Sequence, residues 1–534
     1  MRPPAALRLA LAASTAVSLL SLPPPALAAG VVPRDPAPAR LWHRTFVPAP
    51  SIVPSRTVRP LLRGSYPVSS DRHPLGRATE ARPSPRTPVS GLHFDAIPRT
   101  GPNWPADPSG AMGSQWILTA VNTSYALYDL TGTPVIPPTS FEPFFTYPSG
   151  TQIFDPKVVY DPYGQTFVLV YLAVNDGLRR SWIQMVTVPD ATANDPATWC
   201  ARRMKADQVR RDGRQWADYP GLGYDADRVV VTTNQFDFEH LAFDYAQILS
   251  FPKTSLYDCT QPTAFDRFAG AATRNPDRTA AFTIQPAQSA GTAPAMQYFL
   301  SFERDRRASS LIVWRLKERA SGLQLQRADL PVANVGISPF GTQGDGSLKK
   351  ANTWWDPGDL RLINAFYDAD LDRLYAAHVI FRNLRPDTRP GGYPEAAIRW
   401  YEVAPMGRLR ASSLSRQGIV GTPETDAGWP VVATDGSGNL FVTYSRAGAL
   451  THEYLSAWAA EIPPGTTQAT LTELAPGTAR FEATRGPERW GDFNGIARNP
   501  SDPSQIVMIN QYAKADGDGP TQDWQETVDV VTHA

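Results

Sequence analysis

A short phrase returns six times along this chain, and that recurrence limits what the chain can fold into. It reads Asp107-Pro-Ser-Gly-Ala-Met-Gly-Ser114, Asp155-Pro-Lys-Val-Val-Tyr-Asp161 and Asp218-Tyr-Pro-Gly-Leu-Gly-Tyr-Asp225. It comes back as Leu362-Ile-Asn-Ala-Phe-Tyr-Asp368, Gly428-Trp-Pro-Val-Val-Ala-Thr-Asp435 and Asp492-Phe-Asn-Gly-Ile-Ala-Arg-Asn499. A small apolar stretch fills each copy, and all but the first end on Asp or Asn at a turn. A second apolar run follows, as in Phe167–Tyr171, Val229–Thr233 and Leu440–Tyr444. Recurrence of a multi-strand unit at a spacing of roughly 50–75 residues is the signature of a radial all-β array.

Each unit carries the strand content of one blade. The second runs Pro156–Tyr160, the turn Asp161-Pro-Tyr-Gly164, Phe167–Leu172 and Ser181–Val188. A weaker unit opens near Thr283–Pro286 and ends in Tyr298–Phe302 and Leu311–Leu316, which brings the count to seven. A single blade cannot cover both faces of its sheet, so the blades must pack around an axis, and closing the ring removes exposed edges. The expected fold is an all-β, seven-bladed β-propeller, with six or eight blades as alternatives. Closure requires Trp116–Tyr128 to lie beside the seventh unit.

The N-terminus reads as an address. Arg2 and Arg8 precede the apolar Leu9–Leu22, and Ala26-Leu-Ala28 is a small-x-small cleavage site. The expected organisation is a signal peptide at 1–28, a disordered Pro/Arg-rich leader at 29–92 and the propeller at 93–534. The leader has too little apolar surface to offset the entropy of ordering it. The apolar stretch is too short for a membrane span. The protein is expected to be secreted, extracellular or periplasmic, and monomeric.

With 51 basic and 51 acidic residues the net charge is zero, which argues against a nucleic acid partner. Two cysteines, Cys200 and Cys259, are expected to form one disulfide joining the outer parts of neighbouring units. No Gly-x-Ser-x-Gly, no His-Glu-x-x-His and no phosphate loop opening a helix occurs.

If the phrases are inner strands, their first residues ring one mouth of the channel. Asp107, Asp155, Asp218 and Asp492 then converge, with Trp429 and Trp490 beside them. Carboxylates converging on an axis can hold a hard cation such as Ca²⁺, or work as a general acid and base. Alternatively each caps its own turn. The aromatic residues Trp429, Trp490, Tyr219 and Trp354-Trp355 either offer flat faces to a sugar or wedge between blades. Asp161, Asp225, Asp368, Asp435 and Asn499 recur at one spacing and read as structural turn residues. Arg304, Arg306, Arg399 and Arg446 lie near blade strands, where a sialidase-like site would need an arginine cluster.

The phrases Pro105–Gly113, Val121–Tyr128 and Phe154–Asp161 resemble those of a group of exported bacterial β-propeller proteins, mostly uncharacterised, with sialidase-like or repeat-type folds. Trp216-Ala-Asp-Tyr-Pro220 with Thr233–Phe236, and Trp490–Phe493, extend the similarity over residues 93 to 532. It implies the architecture and transfers no catalytic residue. Asn494 and Asn499 stand where that group more usually has Ser and Asp. Three functions follow as expectations: a propeller binding a carbohydrate or cell-surface component at one mouth, a sialidase-like glycoside hydrolase using an Asp pair there, or a protein-interaction platform.

Overall fold

The computed structural model describes residues 90–533 and the backbone of Arg44–Thr45. Within 90–533 it leaves out 100–104, 208–213, 305–308, 347–352, 385–394, 484–486, 518–519 and the single positions 123, 295, 321 and 383. The signal peptide and nearly all of the leader expected from the sequence lie outside the described residues.

Strand pairing divides the described residues into seven four-stranded antiparallel units. The first is Ser109–Met112, Trp116–Val121, Ser124–Asp129 and Pro134–Ser140. The innermost strands of the next six are Gln152–Asp161, Gln215–Tyr224, Gln285–Ala290, Ala365–Asp368, Asp426–Thr434 and Gly495–Arg498. Those of the third, fourth and fifth units lie side by side in parallel, Tyr224 opposite Gln288 and Ala287 opposite Ala365. Inner strands that adjoin in parallel while each heads its own antiparallel sheet define blades around an axis. This is a seven-bladed β-propeller.

Burial explains why the second strands read as unbroken apolar runs. Every residue of Thr166–Asn175 is buried, because both faces of a blade press on neighbouring blades. The outermost strand Pro134–Ser140 is largely exposed and carries three prolines, with no alternation of apolar and polar residues, which is why it carries little sequence signal.

The ring closes with a strand from the N-terminal side. Ser90–Pro98 pairs antiparallel with Trp524–Thr532 and completes the seventh blade, next to Gln505–Ala513 and Gly495–Arg498. The propeller therefore starts at Ser90, three residues inside the segment expected as leader. First and last inner strands touch: a Cβ on Gly495 would stand 2.8 Å from the Gly110 amide nitrogen, so a side chain there would hold the ring open.

The turn acids do structural work. Oδ1 of Asp225 accepts from the amides of Asp227 and Arg228 at 2.9 and 2.8 Å, and Oδ1 of Asp435 from those of Ser437 and Asn439 at 2.9 and 2.8 Å. Asp161, Asp368 and Asn499 make the same kind of turn. Cys200 and Cys259 form the expected disulfide, tying the outer strand Cys200–Lys205 of the second blade to the segment before the outer strand of the third. Among the described residues no helix is long and apolar enough to cross a membrane.

Candidate functional site

The recurring phrase is a β-bulge. Asp107, Asp155, Tyr219 and Trp429 share a left-handed backbone with φ of 51°, 55°, 53° and 53°, and each precedes a proline. Pairing skips at these points, between Phe154 and Lys157, Asp218 and Gly221, and Gly428 and Val431. Such a conformation is strained for a Tyr or Trp and costs of order 1–3 kcal/mol, so the surroundings must impose it. Here neighbouring blades do so. The Tyr219 amide donates to Oδ2 of Asp155 at 3.1 Å, and the Tyr219 hydroxyl to the Asp492 carbonyl at 3.0 Å. The Asp492 amide donates to Oδ1 of Asp107 at 2.6 Å. Asn122 joins the first two blades, donating to Oδ2 of Asp107 at 2.5 Å and accepting from the Asp155 amide at 2.7 Å.

Of the four aspartates expected at the mouth, the structure gathers three. Asp107, Asp155 and Asp492 are 1%, 2% and 4% exposed, and one carboxylate oxygen of each lies within 4.8 Å of the others. Asp218 stands one residue ahead of that register, and Tyr219 takes the corresponding place. In a strand a one-residue offset turns a side chain to the other face. Its charge still acts on Asp155. The capping expected of each Asp at its own turn is replaced, for Asp107 and Asp155, by capping of the neighbouring blade's phrase.

Trp429 and Trp490 are packed as wedges and offer no face to solvent. They are 2% and 1% exposed, and their indole N–H groups donate to the Asp356 carbonyl at 2.8 Å and to Oγ of Ser445 at 3.0 Å. Trp355 is likewise buried, its indole on the Thr342 carbonyl.

The sequence reading missed the cations. Two long connections between blades, 333–364 and 476–494, meet over this end of the axis, where Trp355–Asp356 pairs in parallel with Glu488–Arg489. They deliver Asp356, Asp359, Arg361 and Arg489 onto the aspartates. Nη2 of Arg489 lies 2.5 Å from Oδ2 of Asp492. Arg361 grips Asp359 at 2.9 Å and lies 4.4 Å above the Tyr219 ring. From inside the channel Nζ of Lys157 stands 3.4 Å over the Phe493 ring. Long loops carry no periodic signal, so nothing in the sequence tied Asp356, Asp359 and Arg361 to the phrases, although Lys157 stands within one phrase and Arg489 three residues before another. Of the four arginines the sequence suggested, Arg446 is held in its own blade by Glu453 and stacks on Trp458 at 3.3 Å. Arg399 is buried on the fifth blade, and the Arg304 side chain and Arg306 lie outside the description.

Electrostatics set this cluster apart. Burial, then the Asp492 charge, pushes the Asp107 carboxyl up to about 7. Burial, followed by Asp218, Asp107 and Asp492, holds Asp155 well above the usual carboxylate range. Burial also pulls the Lys157 ammonium down to about 7, against the attraction of Asp155, Asp107 and Asp492. Arg489 is buried too, but Asp492, Asp107 and Asp356 outweigh that and keep it charged. Three carboxylates this close cannot all be ionised unless positive charge joins them. Below the cluster the channel is packed, with a cavity of about 20 Å³ lined by Ser109, Lys157, Asn364 and Asn494 among others. That holds roughly one water molecule, too little for a ligand to reach the cluster through the channel. Asp107 has both oxygens occupied by protein donors. A cation of Ca²⁺ type, with its 6–8 oxygen ligands, would thus need oxygens from a ligand or water beside Asp155 and Asp492.

No family model matches the chain, and no curated protein matches it. Among solved structures it is similar to an α-L-arabinofuranosidase of Fusarium graminearum at 8% identity, TM-score 0.37, over 83% of this chain and 98% of that one. A protein of unknown function from Dyadobacter fermentans aligns at 9% identity, TM-score 0.39, over 83% and 99%. A Trypanosoma rangeli sialidase aligns at 9% identity, TM-score 0.36, over 77% and 56%.

Proposed function

We propose that this chain is an exported β-propeller that binds a carbohydrate-class ligand at the mouth carrying Asp107, Asp155 and Asp492. The observation that carries the reading is the convergence of these acids with Asp356, Asp359, Arg361, Arg489 and Lys157. Burying that many charges costs stability that an apolar plug would not. Carboxylates alternating with guanidinium groups offer the acceptors and donors that a polyhydroxylated ligand needs. The disulfide agrees with export, since such bonds persist in oxidising compartments.

A second reading, glycoside hydrolysis, has its own support. Asp107 is raised to about 7 while Asp492 sits against Arg489, so one carboxyl is poised to keep its proton beside another held against a cation.

One experiment separates these. A glycan panel is incubated with the protein and with Asp492→Asn, and both retained glycan and released product are read by mass spectrometry. Retention without product, weakened in the variant, supports the binding reading. Product that vanishes in the variant makes the protein a hydrolase. Neither signal overturns both and leaves a protein-interaction platform.

A further inference from the structure

A second polar site lies away from the axis, on the outer edges of the fourth and fifth blades. A groove of about 730 Å³ is bounded by the fourth blade's two outer strands, Ser309–Arg319 and Gly322–Val332, and by 407–410 of the fifth. Pro276, from the third, completes it. Five arginines line this groove: Arg315, Arg319, Arg327, Arg408 and Arg410. Asp329 is the single acid among the lining residues. In a chain whose net charge is zero, this is a local excess of four positive charges, taking five Arg against one Asp.

The arginines divide by role. Arg315 is buried, and its guanidinium is used internally: Nη2 donates to Oε1 of Gln326 at 2.7 Å and to the Gly407 carbonyl at 3.1 Å. That fixes the segment carrying Arg408 and Arg410 against the fourth blade. Arg327 is half-buried over Trp314, with Nη1 on the Ala272 carbonyl. Arg319, Arg408 and Arg410 are exposed. Among the described residues none of the five is in an ion pair. Like charges held together on a rigid edge without acidic partners repel one another, and an anionic ligand relieves that repulsion.

We propose that this groove binds a short stretch of anionic polysaccharide, its carboxylate or sulfate groups taken by Arg319, Arg327, Arg408 and Arg410. Planar guanidinium forks match such groups two bonds at a time. The volume suits several sugar rings rather than a single ion. Leu409, Ala328 and Pro276 supply apolar floor between the charges. A nucleic acid strand fits less well, because no aromatic side chain lines the groove to stack a base. The proposal does not rest on the mouth: the two sites share no residue.

The test is fluorescence polarisation with labelled oligogalacturonate, a sulfated oligosaccharide, neutral dextran and a single-stranded oligonucleotide of matched charge. The proteins are the full chain, the exposed double variant Arg408→Glu with Arg410→Glu, and Arg180→Glu as a distant charge control. The expected result is binding of an anionic saccharide but not of dextran. It should weaken about tenfold or more in the double variant, weaken further with salt, and stay unchanged in Arg180→Glu. Circular dichroism checks that the double variant is folded. Absence of saccharide binding overturns the proposal, as does binding indifferent to the double variant or equally reduced by Arg180→Glu. Oligonucleotide binding as tight as the saccharide's, with the same loss, overturns the ligand class.

Discussion

Glu526 gives a sharp test of the packing at the ring's closure. It lies on Trp524–Thr532, fully buried, and its Oε2 accepts from the amide of Ile97 on the closing strand at 3.1 Å. Burial raises its carboxyl from the ordinary 4.5 to about 8. The folded state therefore holds this proton over a range in which the unfolded chain has lost it, and stability falls as pH rises from 4.5 towards 8. Linkage puts the cost at about 3 kcal/mol at pH 7, about 5 kcal/mol at pH 9 and a few tenths at pH 4. Glu526→Gln keeps an acceptor for the Ile97 amide and leaves no group to ionise. Urea unfolding of the oxidised protein and of the variant, at those three pH values, measures the difference. The variant should gain about 3 kcal/mol near neutrality, more in alkali and almost nothing in acid. A stability difference independent of pH would refute the reasoning, because then Glu526 is not held protonated by the fold.

Three further outcomes follow from the same structure. Trp429→Ala should cost about 3–5 kcal/mol, as removal of a large buried ring does, and a urea midpoint measures it; a loss below 1 kcal/mol would return Trp429 to the role of a displayed ligand platform. Removing residues 1–98 takes away the outer strand of the seventh blade and bares the edge of Trp524–Thr532, so that form should aggregate, while a form beginning at residue 88 should remain monodisperse by light scattering. Replacing Cys200 and Cys259 together by Ser should lower stability by about 4 kcal/mol, the chain-entropy value for a loop of this size, read as a shift in thermal midpoint.

How legible the molecule was depended on how local the signal was. The phrases from Asp155 and Gly428 announced inner strands because small apolar residues and a turn acid lie within one short stretch. Turn acids such as Asp435 could be assigned because their partners, Ser437 and Asn439, are two and four residues away. The outer strands stayed hidden, Pro134–Ser140 among them, since a half-exposed edge selects for neither apolar content nor alternation. Asp218 was misplaced by one residue because the phrase was aligned on its acid, whereas the left-handed position falls on the residue before proline, which is Tyr219 here. Trp429 and Trp490 illustrate a different limit: a large aromatic at the start of an inner strand suits a ligand face and an inter-blade wedge equally well.

The sequence by itself determined the repeating unit, its turns, the cysteine pair and the convergence of aspartates on one end of an axis, all of which follow from short-range pattern and from symmetry. Tertiary structure alone decided that Asp107 and Asp155 cap the neighbouring blades' backbones, and that Ser90–Pro98 closes the ring. It alone brought Arg361 and Arg489 over the acids from connections far apart in the chain. Charge interactions depend on distance through space and on burial, and neither quantity is written in the order of residues along a loop.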